Sequence, residues 1–584
     1  MDASTDTAGL LRFGSFALDV RSRELRTGQT CVRLQEQPFE ILRMMLERPG
    51  DVVTRDELQR RLWPDGTFVD FEHSLNAAVK RLRAALGDDA DHPRFVETLP
   101  RRGYRFIGAL ASDRGATAAT GVPRVAVLPF ANLSEDPSQE YFTDGLTEEM
   151  IAQLGQRCRG RIGVVARWSS MVFKGSTARA REIGRTLRAD YLLEGGVRRE
   201  GDRVRVTARL IETAGETHLW ADTYERHLTD CLSVQADVAA RIAESLAVEL
   251  VPESSSPGHG VAGSAMAYQE YLKGRFHWNQ WNRPDDEDLE QQALSHYAEA
   301  LRLDPQFAPA HAGIARVHVV RALNYRERPR VALEAARTAA KQAIELEPRV
   351  AEGHLALGDV RRMLEWDWPG AEAEYIEAIA LNPSQENAHR AYALMLVTLS
   401  RPEEAVREVE RACEFDPLCL VVGTSAAWVH YLAGNYDAAL AHCRRTLDMD
   451  PQFRPARRLM GAVCLQTGKW RDAIAVLEAA YAESRHDPAL VASLVHAQAS
   501  VGDQAAARAV LGDLQRLDRT RYLSPYHLAL AHVGLDNIDA AFEMLERAVV
   551  DCDPALVYLA AEPRFEPLRS DPRYARLIDL LCLR

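Results

Sequence analysis

The chain has 584 residues, with 71 lysines and arginines against 84 aspartates and glutamates, so its formal net charge is −13. Hydrophobic residues make up 47% and charged residues 27%, which is typical of a globular chain and excludes one that is mainly disordered. The acidic balance argues against a polycation that coats nucleic acid or anionic membranes, but it is compatible with one small DNA-binding domain.

Targeting and redox features favour the cytoplasm. No apolar run approaches the ~18 residues that a membrane helix requires, so we expect no membrane partner. Residues 1–11 are small and polar, unlike a secretory leader. The nine cysteines are scattered without a C-x-x-C pair, which favours free thiols in a reducing compartment.

Two segments rich in small and polar residues, 109–123 and 252–263, are predicted to be linkers. They divide the chain into an N-terminal block (12–108), a middle block (124–251) and a C-terminal block (264–584).

The N-terminal block begins with alternating segments at 12–20 and 24–34, which predict small antiparallel strands. An apolar face at helical spacing predicts a helix over 38–48. Thr54 and Glu57 match the T-x-x-E capping box, so they predict the start of a second helix.

The pattern of a third helix, over 73–86, points to nucleic acid. One stripe is apolar and is predicted to be buried: Leu75, Ala78, Val79, Leu82 and Leu86. The opposite face and its flanks carry His73, Ser74, Asn76, Ala77, Lys80, Arg81, Arg83 and Ala84. Alanines allow close approach of the backbone, Arg and Asn can pair with base edges, and Lys can contact phosphate.

A predicted hairpin over 95–107 closes this block and turns at residues 101–103. Arg101, Arg102 and Arg105 place positive charge at its tip. The third helix alone is better explained as a solvated face on a small α/β domain. The basic helix, the capped helix before it and the arginine-tipped hairpin together favour DNA.

The order of strands, three helices and the final segment LPRRGYRF (99–106) resembles the winged-helix effector domain of OmpR/PhoB-type regulators, particularly the CadC-like branch in which this domain is N-terminal. The resemblance implies that helix 73–86 enters the major groove and that the hairpin is a wing in the minor groove. It implies double-stranded DNA as a partner and leaves open a homodimer. The predicted DNA-binding residues are Ser74, Asn76, Lys80, Arg81, Arg83, Arg101, Arg102 and Arg105.

The middle block alternates predicted strands and helices, which indicates an α/β sandwich. The strands are 124–130, 162–166, 191–198, 203–212 and 218–224, and the helices are 141–154 (opened by 144–147), 178–187 and 234–250. The segments VAVLPF, DGLTEEM, ADYLLEGGV and VTARLIE resemble the TolB-like/FlgO-like domain, a resemblance that implies little chemistry.

Motifs for catalysis and metal binding are missing from the sequence. It contains no G-x-x-x-x-G-K-[ST], G-x-S-x-G or H-E-x-x-H, and its histidines show no ligand spacing. The acidic residues from Asp136 to Glu149 are better explained as helix capping than as a metal or catalytic site. We therefore predict no cofactor, no metal and no enzymatic activity. A nucleotide cyclase is disfavoured, because no segment large enough for a cyclase catalytic domain remains once the three blocks are assigned.

The C-terminal block repeats with a period near 34, which is that of the tetratricopeptide repeat (TPR). Successive steps of 35, 34, 34 and 37 residues separate Pro348, Pro383, Pro417, Pro451 and Pro488. Small residues recur at matching positions, and about seven to eight units are expected. The aromatic run at 276–281 is predicted to cap the end of the array rather than to bind a ligand.

These observations predict a multidomain chain of α+β and all-α parts: a winged helix-turn-helix, an α/β TolB-like sandwich and a TPR α-solenoid. The predicted function is a sequence-specific transcriptional regulator whose TPR surface senses or recruits a protein, peptide or ligand. The alternative is a TPR scaffold with a vestigial winged helix. Residues 13–108 contain 16 basic and 15 acidic side chains, so the acidity belongs to the rest of the chain.

Overall fold

The computed structural model divides the chain into two units, Met1–Gly121 and Val122–Arg584. The predicted domain boundaries at 108, 251 and 264 lie outside the described residues and stay predictions. The structure describes residues 10–13, 16–19, 24–27, 30–47, 52–62, 71–86, 88, 95–99, 102–106, 122–134, 136, 139–158, 161–201, 203–227, 241, 265–280, 287–484, 487–517 and 522–583.

The described residues of the first unit form an antiparallel four-stranded sheet, three helices and a second small sheet. The four strands pair in chain order: β1 (Leu10–Phe13), β2 (Phe16–Asp19), β3 (Glu24–Thr27) and β4 (Thr30–Arg33). They are followed by α1 (Glu36–Glu47), β5 (Val52–Thr54), α2 (Arg55–Leu62), α3 (Phe71–Leu86), β6 (Val96–Leu99) and β7 (Gly103–Phe106). The second sheet has the order β5-β7-β6, so the predicted hairpin gains a third strand.

The capping box predicted for α2 is present. The carboxylate of Glu57 accepts hydrogen bonds from the backbone N–H and the hydroxyl of Thr54, at 2.8 and 2.9 Å. In return, the backbone N–H of Glu57 donates to the Thr54 hydroxyl at 3.3 Å. These bonds satisfy backbone donors that a helix start leaves unpaired.

The second unit begins with a mixed sheet flanked by helices. Its strands are β8 (Arg124–Val127), β9 (Ala131–Asn132), β10 (Gly163–Val164), β11 (Tyr191–Glu200), β12 (Arg203–Glu212) and β13 (Thr217–His227), and its helices are α4 (Glu140–Cys158), α5 (Arg167–Met171) and α6 (Ala180–Leu187). The sheet order is β10-β8-β11-β12-β13, with β9 beside β11. The predicted α/β sandwich agrees with this layout, while its predicted helix over 234–250 lies almost wholly outside the described residues.

The place of Asp144 in α4 differs from the expectation, although the predicted start of the helix at 141 is within one residue of the observed one. The helix begins at Glu140, so Asp144 lies in its second turn and is buried instead of opening it. The Lys174 ammonium donates to Asp144 at 2.7 Å and lies 2.6 Å from Glu140. Burial raises the pKa of Asp144, against the opposing effect of Lys174.

The rest of the second unit is a solenoid whose described helices form eight antiparallel pairs. They are α7 (Ala265–Gln280), α8 (Glu287–Leu303), α9 (Ala308–Leu323), α10 (Pro329–Leu346), α11 (Ala351–Val360, followed by one π turn), α12 (Trp368–Leu381), α13 (Glu386–Thr398), α14 (Pro402–Phe415), α15 (Leu420–Leu432), α16 (Tyr436–Met449), α17 (Arg454–Gln466), α18 (Trp470–Glu483), α19 (Pro488–Ser500), α20 (Gln504–Leu517), α21 (Pro525–Gly534) and α22 (Ile538–Asp551). No helix in the described ranges is both long and apolar enough to cross a membrane.

Small residues allow the paired helices to approach closely, as the repeat predicts. The side chains of Ala405, Ala439 and Ala473 are fully buried between neighbouring helices. A methyl group at Gly461 would lie only 2.5 Å from Leu477. The turn between α15 and α16 needs Gly434, whose φ is +77°.

A C-terminal segment crosses back onto earlier repeats. It comprises two 3-10 turns (Pro554–Tyr558 and Pro563–Leu568) and α23 (Pro572–Leu580). The indole N–H of Trp368 donates to the carbonyl of Leu581 at 2.8 Å. The hydroxyl of Tyr325 donates to Asp553 at 2.9 Å. The end of the solenoid is therefore attached to its earlier helices.

The α/β part and the first repeats share one core. Phe142 and Leu146 of α4 are buried in the same apolar cluster as Tyr268 and Leu272 of α7. The predicted aromatic run from 276 to 280 lies on α7, and its last residue, Trp281, is outside the described residues.

Candidate nucleic-acid interface

The third helix is amphipathic in the way the sequence predicts. All five residues of the predicted apolar stripe are 0–2% exposed. Asn76, Lys80, Arg81 and Ala84 are exposed, whereas Ser74 and Arg83 are half-buried. Helix α3 is therefore fixed to the core by one side and offers polar groups on the other.

Asn76 is held by the hairpin. The buried hydroxyl of Tyr104, on β7, donates to the side-chain oxygen of Asn76 at 2.9 Å. The guanidinium of Arg55 lies over the Tyr104 ring, 5.7 Å from its centroid. This bond fixes the orientation of the amide.

Arg83 is committed to the domain itself. One of its guanidinium nitrogens donates to the carbonyl of Val96 and to the hydroxyl of Thr98, each at 2.8 Å. These bonds tie α3 to β6. A DNA contact by Arg83 stays a prediction, and the structure gives the residue a positioning role that the sequence did not indicate.

Arg81 and Lys80 differ in their partners. The Arg81 Nε donates to the carbonyl of Ala77 at 3.2 Å, and Nη1 donates to the side-chain oxygen of Gln35 at 2.5 Å. Lys80 makes no hydrogen bond or ion pair with the described part of the chain, which suits a side chain that contacts phosphate.

The tip of the hairpin carries one exposed arginine among the described residues. The Arg102 N–H donates to the carbonyl of Leu99 at 3.0 Å and closes the turn. Arg105 is paired with Glu97, its Nη2 lying 2.6 Å from the carboxylate. Arg101 lies outside the described residues. At Gly103 a Cβ would be 2.0 Å from the carbonyl of Val53, so only glycine allows β7 to approach β5 this closely.

A groove of about 560 Å³ runs between α3 and the hairpin. Its lining is Arg55, Asn76, Val79, Lys80, Arg83, Ala84, Asp88, Thr98 and Tyr104. The predicted DNA-binding residues do not include Arg55, whose only signal in the sequence is its place inside the T-x-x-E capping box. Its place as the first residue of α2, directly after β5, brings it beside Tyr104.

The second unit has a much larger opening, a cavity of about 1980 Å³ between the α/β part and the inner surface of the repeats. Arginines from both parts line it, including Arg167, Arg275, Arg316, Arg390 and Arg458. Arg275 forms an ion pair with Glu148, and Asn279 donates to the same carboxylate. Burial opposes ionisation of Glu148, but the Arg275 and Arg167 charges lower its pKa.

The α/β part is also hydrogen-bonded to the repeats near this cavity. Asp416 accepts from the backbone N–H and the hydroxyl of Ser169, at 3.0 and 2.6 Å. The backbone N–H of Ala166 donates to the carbonyl of Phe415 at 2.8 Å. Burial raises the pKa of Asp416 to about 6. The inner surface of the array is thus partly covered by its own chain.

Known protein families match two separate parts of the chain. Residues 28–106 match the family described as "Transcriptional regulatory protein, C terminal". Residues 367–418 and 430–494 each match a tetratricopeptide repeat family. The N-terminal unit therefore carries a winged helix of the transcriptional-regulator type, and the C-terminal helices are tetratricopeptide repeats. The TolB-like resemblance of the middle block stays a prediction.

Three relatives show how far the similarity extends. The chain is 34% identical over 250 residues to "Putative adenylate cyclase 3" of Rhizobium meliloti, covering 42% of this chain and 41% of that protein. It is 39% identical over 95 residues to the "Cholera toxin homolog transcriptional activator" of Vibrio parahaemolyticus, covering 16% and 32%. It is 22% identical over 437 residues to "Transcriptional regulator HilA" of Salmonella typhimurium, covering 73% and 74%. The chain thus spans less than half the length of the first two.

Proposed function

We propose that this chain is a sequence-specific DNA-binding transcriptional regulator. The observation that carries the proposal is the exposed polar face of α3, with Asn76, Lys80 and Arg81 beside the arginine-bearing hairpin. The major groove of DNA admits an α-helix, and α3 is held by a small core on the side opposite its polar face. The two relatives named as transcriptional regulators support the same class of function.

The side chains fall into two groups. Asn76, Arg81 and Ser74 lie where they can address base edges, and Tyr104 fixes the amide of Asn76 in advance. Lys80 and the arginines at 101, 102 and 105 would contact phosphate or the minor groove. Loss of a base contact should relax specificity, whereas loss of a phosphate contact should weaken binding to all sequences alike.

The test begins with genomic fragments selected for binding by the full chain, because the operator is not known. On the selected site, Asn76→Ala should cost about 1–3 kcal/mol of binding and reduce discrimination against altered bases. Lys80→Ala should lower the slope of log affinity against log salt by about one.

Arg185→Ala is the matched control, because it removes one exposed positive charge from α6 in the other unit. It should leave both the affinity and the salt slope unchanged. Failure to select any fragment, or equal effects of Asn76→Ala and Arg185→Ala, would reject the proposal and favour the alternative of a repeat scaffold with a vestigial winged helix.

We further propose that the inner surface of the repeats binds a segment of a protein partner. The cavity supports this, because it offers a concave surface of the kind that solenoids use. A photo-cross-linking residue at Ser425, which lines the cavity, should give partner adducts in cells. The same residue at Ile376, which is 50% exposed outside the cavity lining, should not.

An enzyme is the second candidate, because one relative is named a putative adenylate cyclase. We infer a non-catalytic chain, since the shared stretch covers only 41% of that protein and no catalytic motif was found in this sequence. Incubation of the full chain with ATP and Mg²⁺ should yield no cyclic AMP above that of a heat-inactivated sample.

The seven cysteines within the described residues are free thiols, which supports a reducing, cytoplasmic location.

A further inference from the structure

Three side chains from successive helices of the array converge on one point. The Nε2 atoms of His430, on α15, and His442, on α16, lie 3.2 and 3.0 Å from the same carboxylate oxygen of Glu410, on α14. The ligand atoms of all three residues lie within 4.8 Å of one another. The two imidazole rings are stacked at 5.3 Å between centroids.

Two other histidines of the array bond only to neighbouring parts of the fold. His354 and His389 each bond a glutamate through Nδ1 at 2.6 Å. Through Nε2 they bond the carbonyl of the proline six residues earlier, at 3.0 Å. Both ring nitrogens are therefore used, and each histidine joins its helix to the preceding turn.

His430 and His442 do not follow this pattern. Neither bonds a proline carbonyl, and the buried Nδ1 atoms of both have no hydrogen-bond partner within the part of the chain that the structure describes. Their Nε2 atoms both point at one carboxylate. Helix packing is served by one bond from each histidine to its own glutamate, as His389 and Glu408 show. It does not require two imidazole rings on the same carboxylate oxygen.

We propose that Glu410, His430 and His442 form a binding site for a divalent transition-metal ion, with Zn²⁺ the best match. Two imidazole nitrogens and one carboxylate oxygen are ligands that Zn²⁺ prefers. With bonds of about 2.0–2.1 Å, tetrahedral ligands lie roughly 3.3 Å apart. The two nitrogen–oxygen separations, 3.2 and 3.0 Å, are close to this value.

The exposure of the three groups defines the kind of site. Both histidine side chains are less than 10% exposed, whereas that of Glu410 is 45% exposed. Three protein ligands leave a fourth position, and the exposed carboxylate indicates that it opens to solvent. A bound ion would join α14, α15 and α16 and so stiffen two adjacent repeats.

The experiment uses the tag-free full chain, stripped with a chelator and titrated with CoCl₂ and then ZnCl₂. Bound Co²⁺ with nitrogen and oxygen ligands in a tetrahedral arrangement gives intense visible absorption, which Zn²⁺ should abolish by displacement. We expect one such site per chain. His442→Gln and Glu410→Gln should each weaken Co²⁺ binding roughly 10-fold or more.

His354→Gln is the matched control, because it removes a buried histidine–glutamate pair from the preceding repeat, formed by α11 and α12, and should keep the absorption. Glu410→Gln guards against a folding defect, since its half-exposed side chain is replaced by one of the same shape. Absence of the cobalt bands in the unaltered chain, or full retention of binding in Glu410→Gln, would overturn the proposal.

Discussion

The winged helix and the repeat array use their charged side chains in opposite ways. In the array, Arg564 is 3% exposed and donates to both oxygens of the buried Glu562, at 2.8 and 2.9 Å. In the winged helix, Lys80 and Arg102 are exposed. A buried pair cancels its charge within the fold, while an exposed cation can displace counterions from DNA. The comparison teaches that placement, and not the number of arginines, decides which region can bind a polyanion.

The largest effect should come from breaking the buried pair. Glu562→Gln leaves the Arg564 guanidinium buried without its counter-charge and should lower the free energy of unfolding of the repeat unit by about 3–5 kcal/mol. Chemical denaturation followed by circular dichroism measures the change. Glu404→Gln, which breaks a surface pair with Arg401, is the control and should change stability little. Equal losses in the two variants would remove the distinction between the regions.

Arg83 sharpens the comparison, because it is a half-buried arginine of the winged helix whose hydrogen bonds are made within the fold. Arg83→Ala leaves the carbonyl of the buried Val96 without its donor and should destabilise the winged helix by about 1–3 kcal/mol. Hydrogen exchange of peptides covering 71–106 should rise accordingly. Lys80→Ala should leave the exchange unchanged while weakening DNA binding. Should both variants exchange like the unaltered chain, Arg83 would belong with the DNA contacts and not with the packing.

The smallest effect concerns pH and the array alone. Burial would lower the pKa of His354, but its bonds to Glu374 and to the Pro348 carbonyl, with the carboxylate charge, raise it overall. A raised folded pKa gives stability that is fully present below the unfolded value of about 6.5 and is lost as pH rises through the folded pKa. As the pH rises from about 6.5 through the folded pKa, the free energy of unfolding should therefore fall more in the unaltered chain than in His354→Gln. Chemical denaturation at stepped pH measures the difference. Parallel pH curves would show that the pair carries no net charge effect.

Local patterns predicted much of the fold. The 3.6-residue period predicted the buried stripe of α3, and the T-x-x-E spacing predicted the start of α2. The period near 34 predicted the repeats. These features depend on neighbours along the chain, so a single sequence contains them. The expectation that Asp144 opens α4 was wrong, because acidic residues also occur inside helices when a distant lysine pairs with them.

Features that depend on distant residues could not be predicted. The bond from Arg83 to Val96 and the bond from Tyr104 to Asn76 join elements whose relative placement no local pattern gives. The same holds for Glu410, His430 and His442, which are separated by 20 and 12 residues and resemble no metal-binding motif. Polar residues facing solvent and polar residues facing each other have the same sequence pattern.

The C-terminal segment has a consequence for how this array can evolve. An open solenoid tolerates the gain or loss of a unit, because each unit contacts only its neighbours. Here Trp368 is bonded to Leu581 and Tyr325 to Asp553, across more than 200 positions of sequence. An inserted or deleted helix pair would rotate one end away from the other and separate both contacts at once. The number of units between these anchors is therefore set by geometry, and length variation should be confined to loops that do not alter the superhelical turn.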